Sequence, residues 1–89
     1  MKLTQWDLIK LGIDENTKVI IIPEKIKVNG QDETVTQLEA ELFFGFKAEK
    51  IILPDTIQNL PEGLCVGCNN LKIFKSNAKI EKNIFNYNL

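Results

Sequence analysis

Branched aliphatic residues punctuate this chain in short runs, two of them closed by a residue that cannot continue a strand. Val19-Ile20-Ile21-Ile22 ends at Pro23, and Ile51-Ile52-Leu53 ends at Pro54. Such side chains suit a pleated backbone, and proline cannot donate to a ladder, so both runs predict β-strands. A third run, Leu71-Lys72-Ile73-Phe74, lacks the proline. Ile26-Lys27-Val28 alternates apolar and charged into Asn29-Gly30, with Thr34-Val35-Thr36 following. Asn-Gly between alternating segments predicts a β-hairpin, because both residues accept positive φ. Upstream, Thr4 to Gly12 predicts a short helix. Thr4 can cap the N–H of Asp7, Asp7 suits the positive helix end, and Gly12 sits where a left-handed stop is wanted. Trp6, Ile9 and Ile13 would share its apolar face.

The runs recur together with their surroundings. Val35-Thr36-Gln37-Leu38 falls on Ile57-Gln58-Asn59-Leu60, and the same shift sets Leu42 on Leu64, Gly45 on Gly67, Lys50 on Lys72 and Ile51 on Ile73. Ile20-Ile21-Ile22-Pro23 matches Ile51-Ile52-Leu53-Pro54 at a longer shift, so the first copy carries an insertion, which the hairpin explains. A weaker copy puts Ile84-Phe85 on Leu64-Cys65. Self-similarity at a period of roughly twenty residues predicts a leucine-rich-repeat-like solenoid. Its parts would be short parallel β-strands with small helical turns, an inserted β-hairpin and an N-terminal capping helix. The expected division is residues 1–16 for the cap and 17–89 for the repeats, with copies at 17–47, 48–70 and 71–89.

The succession Ile22-Pro23, Ile26, Asn29-Gly30, Val35-Thr36-Gln37-Leu38, Leu42-Phe43, Gly45-Phe46 resembles the BspA-like (treponemal-type) leucine-rich repeat. The second copy continues the likeness with Leu53-Pro54-Asp55-Thr56-Ile57, Leu64-Cys65 and Cys68. Leu42 and Leu64 stand where that family favours Ala, Cys65 where it favours Phe, and Phe46 where it favours Cys. The resemblance implies a cell-surface or secreted protein that binds a protein partner or a component of extracellular matrix or host surface, without catalysis and without a cofactor.

Composition narrows the classes further. The 89 residues carry a net charge of −1, and every basic residue is Lys. Without Arg or a cluster of Lys, nucleic acid is not an expected partner. No apolar run approaches the roughly 20 residues of a membrane span. Thr4-Gln5-Trp6-Asp7 interrupts any leader-like apolar core near the start, so the N-terminus reads without a signal peptide. Two origins stay open, a cytosolic protein or a segment of a longer exported one.

Cys65-Val66-Gly67-Cys68 has the spacing of zinc and thiol-redox motifs. A structural zinc needs four ligands, and this chain has no His and no third Cys. Both cysteines are explained as core positions, Cys65 in the column of Phe43 and Phe85 and Cys68 in that of Phe46, with a thiol redox protein as the alternative. The single Ser, Ser76, has no His to serve as its base.

Strand alternation yields the candidate surface. With Ile20, Ile22, Ile51, Leu53, Leu71 and Ile73 inward, Ile21, Ile52 and Phe74 form an outward apolar column beside Val19, Lys50 and Lys72. Ile21, Ile52, Phe74, Lys50 and Lys72 are therefore the expected contact residues of a binding module, with Asn29 and Gly30 at the hairpin tip as a secondary site. The competing expectation is a structural segment of a longer array that self-associates through its C-terminal layer at Phe85, Tyr87 and Leu89. Lys75, inward in this register, is its weak point.

Overall fold

A computed structural model describes residues 1–81 and 83–87. Strand β1 (Lys2–Leu3) leads into helix α1 (Gln5–Lys10), and β2 (Val19–Ile21) follows. A hairpin of β3 (Lys25–Val28) and β4 (Gln31–Thr34) comes next, then β5 (Gln37–Leu38), β6 (Lys50–Ile52) and β7 (Ile73–Lys75).

Local chemistry accounts for the helix ends. The Asp7 carboxylate accepts the Thr4 N–H at 2.8 Å and the Thr4 hydroxyl at 3.1 Å, so Asp7 caps the start rather than Thr4 alone. At the other end Gly12 turns left-handed at φ 74. Its N–H donates to the Ile9 carbonyl and the Ile13 N–H to that of Leu8, closing a Schellman turn. The buried side of this helix is Leu8, not the aromatic side expected of a cap. Trp6 and Ile9 are 67% and 64% exposed.

The strands divide among three sheets. β1 pairs in parallel with β5, β3 pairs antiparallel with β4, and β2, β6 and β7 form a parallel sheet in that order. This corrects the leucine-rich-repeat solenoid expected from the repeats. A solenoid would stack its copies into one continuing sheet, whereas here the short strands fall into separate small sheets around a single core. The Cα radius of gyration is 12.3 Å, against about 12 Å for a compact domain of this length. The recurring aliphatics mark positions that need burial. Ile20, Val35, Phe43, Ile51, Leu64 and Ile84 are fully buried in that one cluster, each removing from water an apolar side chain worth about 1.5–3 kcal/mol.

Residues 2–3 share this core, because Leu3 is fully buried and the Met1 amino group donates to the Thr34 carbonyl at 2.7 Å. The hairpin turns at Asn29 and Gly30, with φ of 52 and 81. Two further turns lie against each other, since the Gly45 N–H donates to the Val66 carbonyl at 2.8 Å. Gly67, at φ 80, brings its backbone so near Gly45 that a Cβ would stand 3.3 Å from the Gly45 Cα. That approach fixes the segment carrying both cysteines.

Candidate functional site: the outward face of the three-stranded sheet

Register decides which side chains this sheet presents. Val19 pairs with Lys50 and Lys50 with Ile73; Ile20 with Ile51 and Ile51 with Phe74; Ile21 with Ile52 and Ile52 with Lys75. Because successive side chains point to opposite faces, the middle row of Ile20, Ile51 and Phe74 points inward. Val19, Ile21, Lys50, Ile52, Ile73 and Lys75 point outward. Exposure agrees, with Ile20 and Ile51 at 0% and Val19, Ile21 and Ile73 at 52%, 60% and 44%.

Ile21, Ile52 and Lys50 thus stand where the alternation placed them, side by side on one face. Phe74 does not. The third strand is one residue out of the expected register, so Phe74 turns toward the core and meets Phe85 edge-to-face, with centroids 5.3 Å apart and planes at 86°. The reason is Lys75: in the expected register its ammonium would face the core, where an unpaired charge is costly. The slip exposes Lys75 and buries part of an aromatic ring instead.

Lys72 lies just before β7. Its N–H donates to the Glu49 carbonyl at 2.9 Å, and continuing the register sets it in a row with Glu49 and Lys18. Lys18 and Glu49 come within 3.9 Å with largely exposed side chains, which makes the row a solvated polar border. The residues that replace Phe74 and Lys72 on the face are Ile73 and Lys75. The signal that could have found them was Lys75 itself, the charged end of an alternating Ile-Phe-Lys triplet.

The face carries four aliphatic side chains and two ammonium groups, Lys50 on the central strand and Lys75 at the edge. Two strand spacings and three residues give it a span of about 10 Å each way. That is roughly a tenth of the ~800 Å² that each partner contributes to a standard protein interface. Its size suits one extended peptide segment or one projecting knob. The ammonium groups add recognition of carboxylates at fixed positions.

Asn29 and Gly30 are exposed at the hairpin tip. The hairpin carries an ion pair of Lys27 with Asp32 at 2.9 Å, both side chains well exposed. At the C-terminal end Phe85 and Tyr87 are 40% and 41% exposed, and the Tyr87 hydroxyl donates to the Glu41 carboxylate. Leu89, expected to contribute to that end, lies outside the described residues. Among the described residues no helix is long and apolar enough to cross a membrane.

The cysteines sit apart from this face. Cys65 is buried and Cys68 half-buried, both as free thiols. They border a cavity of about 340 Å³ shared with Gly67, Asn69, Lys72 and Phe74. The Cys68 thiol donates to the Phe43 carbonyl at 3.0 Å. The neighbouring Cys65 thiol holds Cys68 below the usual thiol range, against the effect of its burial and with help from the Phe46 backbone. Cys68 beside it, with burial, pushes Cys65 above that range.

Comparison of the chain with protein-family models, with curated proteins and with solved structures finds no match.

Proposed function

We propose that this protein is a binding module whose contact surface is the outward face of β2, β6 and β7, and that its ligand is an extended segment of a protein partner bearing apolar side chains and carboxylates. The observation that carries this reading is the exposure of Val19, Ile21 and Ile73 on a regular parallel sheet. Parallel sheets ordinarily have both faces covered. Charge favours the same occupant: Lys50 is hemmed by Val19 and Ile73, and Lys75 adjoins Ile52, so two carboxylates at matching spacing meet two ammonium groups while their neighbours bury aliphatic surface.

The test is selection from a displayed library of linear peptides that alternate apolar residues with Asp or Glu, followed by NMR mapping of a selected peptide on the labelled protein. Shifts concentrated at Val19, Ile21, Lys50, Ile52, Ile73 and Lys75 are the expected result, with weaker binding as salt is raised. Shifts confined to the hairpin tip or to Phe85 and Tyr87 overturn the assignment. Peptide-independent shifts on this face that depend on protein concentration would identify a second copy of the chain as the occupant.

A further inference from the structure

Cys65 and Cys68 carry a second inference, independent of the sheet face. Their backbones are linked by a turn in which the Cys68 N–H donates to the Cys65 carbonyl at 3.2 Å. A turn of that kind holds its end Cα atoms within about 7 Å, inside the separation a disulfide spans. Both side chains are free thiols carried on this one turn. The pair is also reachable. Cys68 is half-buried, Cys65 is 2% exposed, and both border the cavity that Lys72 and Asn69 line.

We propose that Cys65 and Cys68 form a reversible dithiol–disulfide site that exchanges with an anionic low-molecular-weight disulfide admitted to this cavity. Cys68, the outer sulfur, attacks as thiolate. Its bond to one sulfur of the small disulfide forms as the disulfide bond breaks, and the departing thiolate leaves with the electron pair and takes up the proton that Cys68 released. Cys65 then gives up its proton and attacks the Cys68 sulfur, expelling the second half of the small disulfide, which takes that proton. The dithiol has been oxidised to a disulfide and one small disulfide reduced to two thiols. Lys72 supplies the positive charge that draws a carboxylate-bearing disulfide to the cavity mouth.

The division of labour follows from the surroundings. Cys68, the more exposed sulfur and the one held below the usual thiol range, is the one a small disulfide reaches first, and the buried Cys65 acts second.

The full chain is incubated with glutathione disulfide, quenched with acid and read by intact mass and peptide mapping. The expected product is the chain less two hydrogens, with Cys65 joined to Cys68, and full recovery of the dithiol on adding excess reduced glutathione. Cys65→Ala should stop at a stable glutathione adduct on Cys68, and Cys68→Ser should form no adduct at Cys65. Should either variant fail to fold by circular dichroism, the unmodified chain still decides the matter. Iodoacetamide should label Cys68 at least tenfold faster than Cys65, and the Cys68 rate should persist to lower pH than in the urea-unfolded chain. An unchanged mass, an adduct that never closes, or equal labelling of both sulfurs overturns the proposal. Exchange that proceeds equally well with uncharged hydroxyethyl disulfide overturns the part given to Lys72.

Discussion

Ile51 and Ile52 are neighbours of the same residue type, and the two faces of the sheet assign them opposite work. Ile51 lies between Ile20 and Phe74 with no exposed surface, while Ile52 looks outward between Ile21 and Lys75. Inside, the row is held by burial, and a lost methyl group leaves a cavity. Outside, the same side chain holds little up, and its apolar surface stays available to a partner. Which face a side chain joins here depends on the phase of the strand rather than on the identity of the residue.

The largest contrast comes from truncating one isoleucine on each face. Ile51→Ala should cost about 3 kcal/mol in urea unfolding with an unchanged m value, within the range of roughly 2–5 for buried isoleucine. Ile21→Thr, which keeps the β-branch, should stay within about 0.5 kcal/mol. Equal costs would erase the distinction between the faces. The third strand sharpens it next. Phe74→Ala should destabilise by about 2 kcal/mol, less than the roughly 3–5 of a fully buried phenylalanine, and Ile73→Ala by under about 1. The reverse order would restore the register in which Ile73 points inward. Smaller again, Asp7→Ala should remove about 1 kcal/mol by releasing the Thr4 N–H and hydroxyl. Least affected is Lys27→Ala, which breaks an exposed pair with Asp32 worth under about 0.5 kcal/mol, an effect that salt should abolish.

These contrasts also mark what the sequence could convey. The hairpin at Asn29-Gly30 and the stop at Gly12 were legible because each depends on one or two residues with restricted backbone preferences. The pairing of β2 with β6 was legible too, since aligning Ile20-Ile21-Ile22-Pro23 with Ile51-Ile52-Leu53-Pro54 gives the observed partners. The same logic failed for β7. Aligning Lys50 with Lys72 and Ile51 with Ile73 misplaces the strand by one residue, and a slip of one exchanges the faces. Similarity of pattern weighs every matched residue alike, whereas the cost of burying Lys75 outweighs the others.

The global arrangement was less accessible still. Pairing of Lys2–Leu3 with Gln37–Leu38 involves strands too short to show any period. Recurring aliphatic positions state that side chains are buried, not how the strands divide among sheets, and so the repeats suggested a solenoid that the structure does not form. The apolar face of the helix misled for a similar reason. Trp6 and Ile9 share a helical spacing, yet it is Leu8, on another side, that reaches the core.

The most direct measurement is the affinity of a selected acidic, apolar peptide for the Ile52→Ser protein, compared with the unaltered chain and with Asn29→Ala. Ile52 lies at the heart of the outward face, and Asn29 lies at the hairpin tip. With all three proteins shown to be folded by urea unfolding, the prediction is at least tenfold weaker binding for Ile52→Ser, about 1.4 kcal/mol, and no change for Asn29→Ala. Unchanged affinity of the folded Ile52→Ser protein would contradict the assignment of the sheet face as the binding surface.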